Sequence, residues 1–158
     1  MPSNVKPIPE GYASVTPYLS IKGAKEAIAF YKKALGAQEI YKLEMPDGRI
    51  GHAELQIGSS RIMLADEMLE MTDIVVKSPG TVRGTTVGFN LYLEDVDARF
   101  AQAVAAGATV KRPVQTQFYG DRSGTVEDPF GHIWTLSTHV EDVSPDETMR
   151  RMAALPKG

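Results

Sequence analysis

The sequence predicts an α+β fold: two tandem βαβββ modules that form a curved mixed sheet around a cleft, followed by a C-terminal helix. Three observations predict it. The order strand, helix, three strands occurs twice along the chain. The two occurrences superpose at one offset, residues 16–21 over 88–93 and 62–64 over 134–136, each 72 positions on. The glycines that close the two helices, Gly36 and Gly107, recur 71 positions apart, one residue having been lost between strand and cap. Self-similarity at a fixed period is stronger evidence than any single element. Neither half of this 158-residue chain can bury much surface alone, so the halves are expected to pair. The expected boundaries are one domain over 8–143, with module one at 13–66, a linker or lid at 67–86 and module two at 87–139, then a helix over 144–155.

The elements follow in order. Residues 15–21 alternate as a strand, with Val15, Leu19 and Ile21 on one face and Thr16, Tyr18 and Ser20 on the other. Ala24, Ile28, Tyr31 and Leu35 then recur at helical spacing over 24–35, and Gly36 suits a left-handed C-cap. Strands are expected at 38–45, 50–57 and 61–65, joined by Pro46-Asp47-Gly48 and Gly58-Ser59-Ser60 turns. In the second half, 89–93 is a strand. Asp95 caps a helix carrying Val96, Phe100 and Val104, and extended segments follow at 109–116, 123–126 and 133–137. Residues 66–86, with Pro79, Gly80 and Gly84 and weak periodicity, read as a crossover linker or as a lid. Ser144-Pro145-Asp146-Glu147 has the form of a capping box. It opens a helix with Met149 and Met152 on its apolar side, expected to pack on its own fold or across a dimer.

Composition narrows the function classes. Apolar residues make up 42% and charged residues 23%, an ordinary globular balance. A net charge of −3 argues against nucleic-acid binding, which favours a basic excess. Without cysteine there are no disulfides, thiolate nucleophiles or Cys-based metal sites. No apolar run approaches the ~18 residues of a membrane span, and the first ten residues lack the apolar core of a signal peptide, so a cytoplasmic protein with no membrane partner is expected.

The strand faces turned away from the helices are expected to line the cleft. In module one they carry Thr16, Tyr18, His52, Glu54, Gln56, Arg61 and Met63; in module two, Gly88, Asn90, Tyr92, Ile133 and Thr135. His52 and Glu54, two apart on one strand, are the candidate acid–base pair, with an ordering hydrogen bond as the plainer reading. Together with Glu44, Asp66, Asp121 or His132 they could form a displaced metal site, a less favoured reading because two convergent groups fall short of a coordination set. Tyr18 and Tyr92 are candidates for stacking a planar ligand or for plain packing. Asp121 and Arg122 read as an ion pair or turn at the rim, with Arg122 also a candidate for ligand charge recognition. Asp128-Pro129-Phe130-Gly131 reads as a turn, Trp134 as core, His132 as structural and His139 as solvated.

The duplicated pattern resembles the vicinal oxygen chelate superfamily of glyoxalases, bleomycin-resistance proteins and extradiol dioxygenases. Ile8-Pro9-Glu10-Gly11-Tyr12, Thr16-Pro17-Tyr18-Leu19, Phe30-Tyr31-Lys32-Lys33-Ala34, His52-Ala53-Glu54, Tyr119-Gly120-Asp121-Arg122 and Asp128-Pro129-Phe130-Gly131-His132 with Trp134 are similar to its PhnB-like branch. The resemblance implies a divalent metal held by His, Gln or Glu from the first and last strands of each half. Those positions here read Thr16, Met63, Gly88 and Thr135, which are poor donors for such an ion. The branch often carries a basic residue where this chain has Ile133, so that part of the cleft is more apolar here. The resulting expectation is a binding protein without cofactor, of bleomycin-resistance type, sequestering a small apolar or aromatic compound. Thr16, Tyr18, Gln56, Met63, Asn90, Tyr92, Ile133, Thr135 and Arg122 would contact the ligand. The alternatives are a lyase- or oxygenase-like enzyme using a displaced metal or His52–Glu54 chemistry, and an interaction protein with a vestigial cleft. A homodimer is expected from the superfamily's habit.

Overall fold

In the computed structural model, residues 5–71 and 75–156 are described. The chain divides into two compact units between Gly84 and Thr85. The first holds β1 (Tyr18–Ile21), α1 (Ala24–Leu35), β2 (Gln38–Glu44), β3 (Ile50–Ile57), β4 (Ser60–Asp66) and the short α2 (Pro79–Val82). The second holds β5 (Gly88–Tyr92), α3 (Val96–Ala106), β6 (Thr109–Thr116), β7 (Asp121–Glu127), β8 (Ile133–His139) and α4 (Pro145–Ala153). The fold is α+β, and each βαβββ module forms a four-stranded mixed sheet of its own, ordered β1-β4-β3-β2 and β5-β8-β7-β6. The parallel pairs carry the internal repeat in their register. Tyr18 faces Met63 and Leu19 faces Leu64, while Asn90 faces Thr135 and Leu91 faces Leu136, every residue 72 positions on.

Hydrophobic periodicity explains which face each helix covers. Ala24, Ile28, Tyr31 and Leu35 of α1 are buried, as are Leu19, Ile21, Ala53, Leu55 and Leu64 on the sheet beneath. In the second module Val96 and Ala103 of α3 are buried, together with Val126, Trp134 and Leu136. Val104 is not on that stripe: it is 37% exposed, and Ala103 takes the buried place. Gly36 and Gly107 cap the two helices with positive φ, 69° and 121°.

Several boundaries differ from expectation. β1 starts at Tyr18, not Val15, because Pro17 has no N–H to give the ladder; its carbonyl still accepts the Met63 N–H at 2.9 Å. β7 and β8 are longer than expected and run until Asp121 pairs with His139. The segment after β4 contains α2, which the periodicity does not reveal. Glu67, its side chain 2% exposed, accepts the Ser78 N–H and the Thr81 hydroxyl, each at 2.7 Å, and so organises a helical turn many residues downstream. Burial opposes ionisation of Glu67, but these donors outweigh it and hold the carboxyl below its usual range.

The Asp128 turn is as expected. Its carboxylate accepts the Phe130 and His132 N–H groups at 2.9 and 3.0 Å and the Trp134 indole N–H at 3.0 Å. Trp134 is core and stacks on Phe89, with ring centroids 4.6 Å apart. At the C-terminus the Ser144 hydroxyl accepts the Glu147 N–H at 3.3 Å, as a capping box requires. Arg151 ties α4 to Glu141 at 2.7 and 2.9 Å and to the Phe118 carbonyl at 3.3 Å. The helix buries none of its residues, and Met149 and Met152 remain 60% and 58% exposed.

Candidate functional site

Strand alternation puts Tyr18, His52, Glu54, Gln56, Arg61 and Met63 on the open face of the first sheet. Met63 on β4 lies in register between Tyr18 on β1 and Glu54 on β3, and Tyr41 on β2 completes the row beside Glu54. Thr16 precedes β1 and is half-buried. The polar side chains are joined. The Tyr18 hydroxyl is 2.9 Å from His52 Nδ1, and His52 Nε2 is 3.1 Å from Glu54 Oε1. The other Glu54 oxygen accepts the Tyr12 hydroxyl. A carboxylate only accepts, so with the ring neutral the His52 proton sits on Nε2, and Nδ1 accepts from Tyr18.

Charge and burial tune the row. The Tyr12 hydroxyl bond, joined by His52, holds the Glu54 carboxyl below its usual range against the effect of burial. Burial pushes the Tyr12 phenol up, and its bond to Glu54 adds to that. Burial also pushes the Tyr18 phenol up. The Arg61 guanidinium lies 4.5 Å from the centre of the Tyr12 ring and donates to Gln56 Oε1 at 3.1 Å. Gly11, lacking a Cβ, leaves room for that guanidinium. Tyr18 and Tyr41 are 47% and 50% exposed, with their rings 5.5 and 6.2 Å from the His52 ring. The arrangement can accept a proton at His52 Nδ1 and balance the resulting charge at Nε2 through Glu54. It also offers two aromatic surfaces beside an ordered polar row.

Sequence reasoning missed Tyr41, which β2 sets beside Glu54, and it missed Tyr12. Tyr12 stands in the Ile8–Tyr12 motif, outside any strand, where alternation assigns no face.

The second module differs. Asn90 and Tyr92 are exposed, and Ile133 and Thr135 half-buried. The Thr135 hydroxyl bonds that of Thr125 at 3.0 Å. Tyr92 donates to Asp121 at 2.8 Å, and the other Asp121 oxygen meets His139 Nδ1 at 2.8 Å. Two expectations need correction here. Asp121 and Arg122 do not pair with each other: adjacent on β7, they point to opposite faces. Arg122 makes two 2.7 Å bonds to Asp97 in the first turn of α3, away from Tyr92 and Thr135. Nor is His139 merely solvated, for it bridges Asp121 and Asp142.

The positions where a metal is implied carry a half-buried Thr16, the Met63 thioether, Gly88 and a Thr135 hydroxyl already bonded to Thr125. Thioether, glycine and hydroxyls do not fit a hard or borderline divalent cation. The extra ligands considered for a displaced site are engaged elsewhere. Glu44 pairs with Lys25 at 3.6 Å, and Asp66 accepts the N–H groups of Gly23, Ala24 and Ile50. Among the described residues no group of three or more His, Cys, Asp or Glu is placed to hold an ion.

Comparison with known proteins agrees with this architecture. An uncharacterised protein of Mycobacterium bovis, Mb0911c, is 39% identical over 158 residues, covering the whole of both chains. A structure of a PhnB protein from Bacillus cereus, described as a putative 3-demethylubiquinone-9 3-methyltransferase, superposes with a TM-score of 0.62 at 17% identity, over 80% of this chain and 99% of that one. The fosfomycin resistance protein FosX from Listeria monocytogenes, in complex with Mn(II) and sulfate, superposes at 0.58 with 18% identity, over 89% and 97% of the two chains. The family model of the Glyoxalase/Bleomycin resistance protein/Dioxygenase superfamily matches residues 14–136, and with the two βαβββ modules in place the chain belongs to that superfamily.

Proposed function

We propose that this protein binds and sequesters a small apolar or aromatic molecule on the open face of its first module, as a homodimer and without a metal at the superfamily's usual positions. One observation carries the reading. The half-exposed rings of Tyr18 and Tyr41 flank a hydrogen-bonded row, Tyr18–His52–Glu54–Tyr12, that is ordered before any ligand arrives. Such a surface offers apolar contact with few, fixed polar groups, and preorganisation lowers the cost of binding. In the second module Asn90, Tyr92, Ile133 and Thr135 offer a similar mixture on one face. Arg122, occupied by Asp97, would have to leave a bidentate pair to reach a ligand.

A panel of planar aromatic compounds titrated into the labelled protein tests this by nuclear magnetic resonance. Saturable shifts at Tyr18, Tyr41 and His52, lost in Tyr18→Ala, are expected. A panel without binders would overturn the reading. The His52–Glu54 pair also favours a second reading, acid–base catalysis at His52 Nδ1. Under that reading His52→Gln retains binding and loses turnover. Metal analysis of protein purified without chelator tests for a displaced site: a stoichiometric divalent ion that disappears in His52→Ala would overturn the metal-free reading.

A further inference from the structure

Three side chains on the open face of the first module stand in relay. Tyr18, at the start of β1, meets His52 Nδ1 at 2.9 Å. His52 Nε2 meets Glu54 at 3.1 Å, both residues lying on β3. Glu54 can only accept, so neutral His52 carries its proton on Nε2 and presents a lone pair at Nδ1 to the Tyr18 hydroxyl. The second Glu54 oxygen is bonded to Tyr12, which holds the carboxylate in place. A hydroxyl on a base that a carboxylate orients is the arrangement of an activated nucleophile. Tyr18 is 47% exposed, and its bond to His52 lies at the surface, within reach of a substrate. A pocket of about 220 Å³ adjoins it, with Tyr18 as one wall and Met68, Met71 and Val76 as an apolar one.

We infer that Tyr18 is a nucleophile, and that the first module cleaves aryl esters of small apolar carboxylic acids through an acyl-Tyr18 intermediate. The inference rests on the small-molecule reading of this face and gives its acid–base alternative a reaction. The Tyr18 oxygen attacks the ester carbonyl, and its proton passes to His52 Nδ1. The bond from the acyl carbon to the aryl oxygen breaks, and the phenol leaves with that proton. Water then attacks acyl-Tyr18 and gives a proton to His52 Nδ1. That proton returns to the Tyr18 oxygen as the carboxylic acid departs. Ester and water are consumed, acid and phenol are formed, and the chain is unchanged. Glu54 positions His52 and balances its charge while Nδ1 holds the proton. Burial pushes the Tyr18 phenol up, so the phenolate is not formed beforehand and the proton has to leave as the new bond forms. Leaving-group chemistry sets the substrate class. Acyl-Tyr18 is itself an aryl ester, so it forms without an uphill step only when the leaving group is about as acidic as a phenol. Volume sets the acyl group. A cavity of about 150 Å³ holds benzene, so the pocket beside Tyr18 takes a short chain or one ring.

Rapid mixing of the full chain with para-nitrophenyl butanoate tests this. A burst of nitrophenolate is expected, with a butanoyl group on Tyr18 in the acid-quenched, digested protein. Ethyl butanoate should not be cleaved. Tyr18→Phe should lose the adduct and about 100-fold in rate, and so should His52→Gln. Hydrolysis at the wild-type rate by Tyr18→Phe, or hydrolysis that leaves no butanoyl group on Tyr18, would overturn the nucleophile. Binding is read separately with para-nitrophenyl butyl ether, which cannot be cleaved. A chain that binds the ether but hydrolyses the ester no faster than buffer would overturn the reaction and leave the binding reading standing. A chain that neither binds the ether or any planar compound nor cleaves the ester would overturn both.

Discussion

Single residues decide the character of the first module's open face. Glu54 would be a costly half-buried carboxylate without the Tyr12 hydroxyl and His52 as donors. Its depressed pKa means that it contributes stability above its ordinary value of 4.5, and that this contribution is lost as pH falls through the folded value. Tyr12→Phe is expected to move the Glu54 carboxyl back towards 4.5, read from its carboxyl carbon shift, and to flatten the acid limb of the stability profile. His139 behaves in the opposite sense. Asp121 and then Asp142 raise its pKa above the ordinary 6.5, so its contribution is fully present below 6.5 and fades as pH rises through the folded value. A ring titration should place the His139 midpoint above 6.5, and Asp142→Asn should lower it.

At the scale of elements, the modules are held by caps and turns that reach across the sequence. Asp66 at the end of β4 accepts the N–H groups of Gly23 and Ala24, supplying the cap that Gly23 has no side chain to provide for α1. Gly120 does comparable work where β7 begins. Its carbonyl accepts the N–H groups of Val140 and Glu141 at 2.9 and 3.0 Å, its φ is +100°, and a Cβ would run into the Glu141 carbonyl oxygen. Gly120→Ala is therefore expected to cost more than about 2 kcal/mol in denaturant unfolding and to loosen the start of α4.

For the whole molecule, the described residues leave apolar surface on one helix. Arg151 of α4 bonds Glu141 and the Phe118 carbonyl of its own module, while Met149, Met152 and, just past the helix, Leu155 are exposed. The proposed homodimer gives that surface a partner. Light scattering at micromolar concentration should then give twice the 17.2 kDa chain mass, and Met149→Glu with Met152→Glu should shift it towards the monomer. A wild-type monomer would remove the dimer from the proposal. Among the described residues no helix is long and apolar enough to cross a membrane.

The sequence by itself determined the α+β class, the doubled βαβββ order, the helix-closing glycines and the strand faces that carry Tyr18, His52, Glu54, Asn90 and Thr135. Alternation, helical spacing and turn residues act over a few positions, and those are legible without a fold. Only the tertiary structure decided which side chains meet. Tyr12 reaches Glu54 across 42 positions, Arg122 turns to Asp97 across 25, and Glu67 builds α2 from 14 positions before Thr81. Such pairings depend on which strands lie side by side, and no local pattern records them.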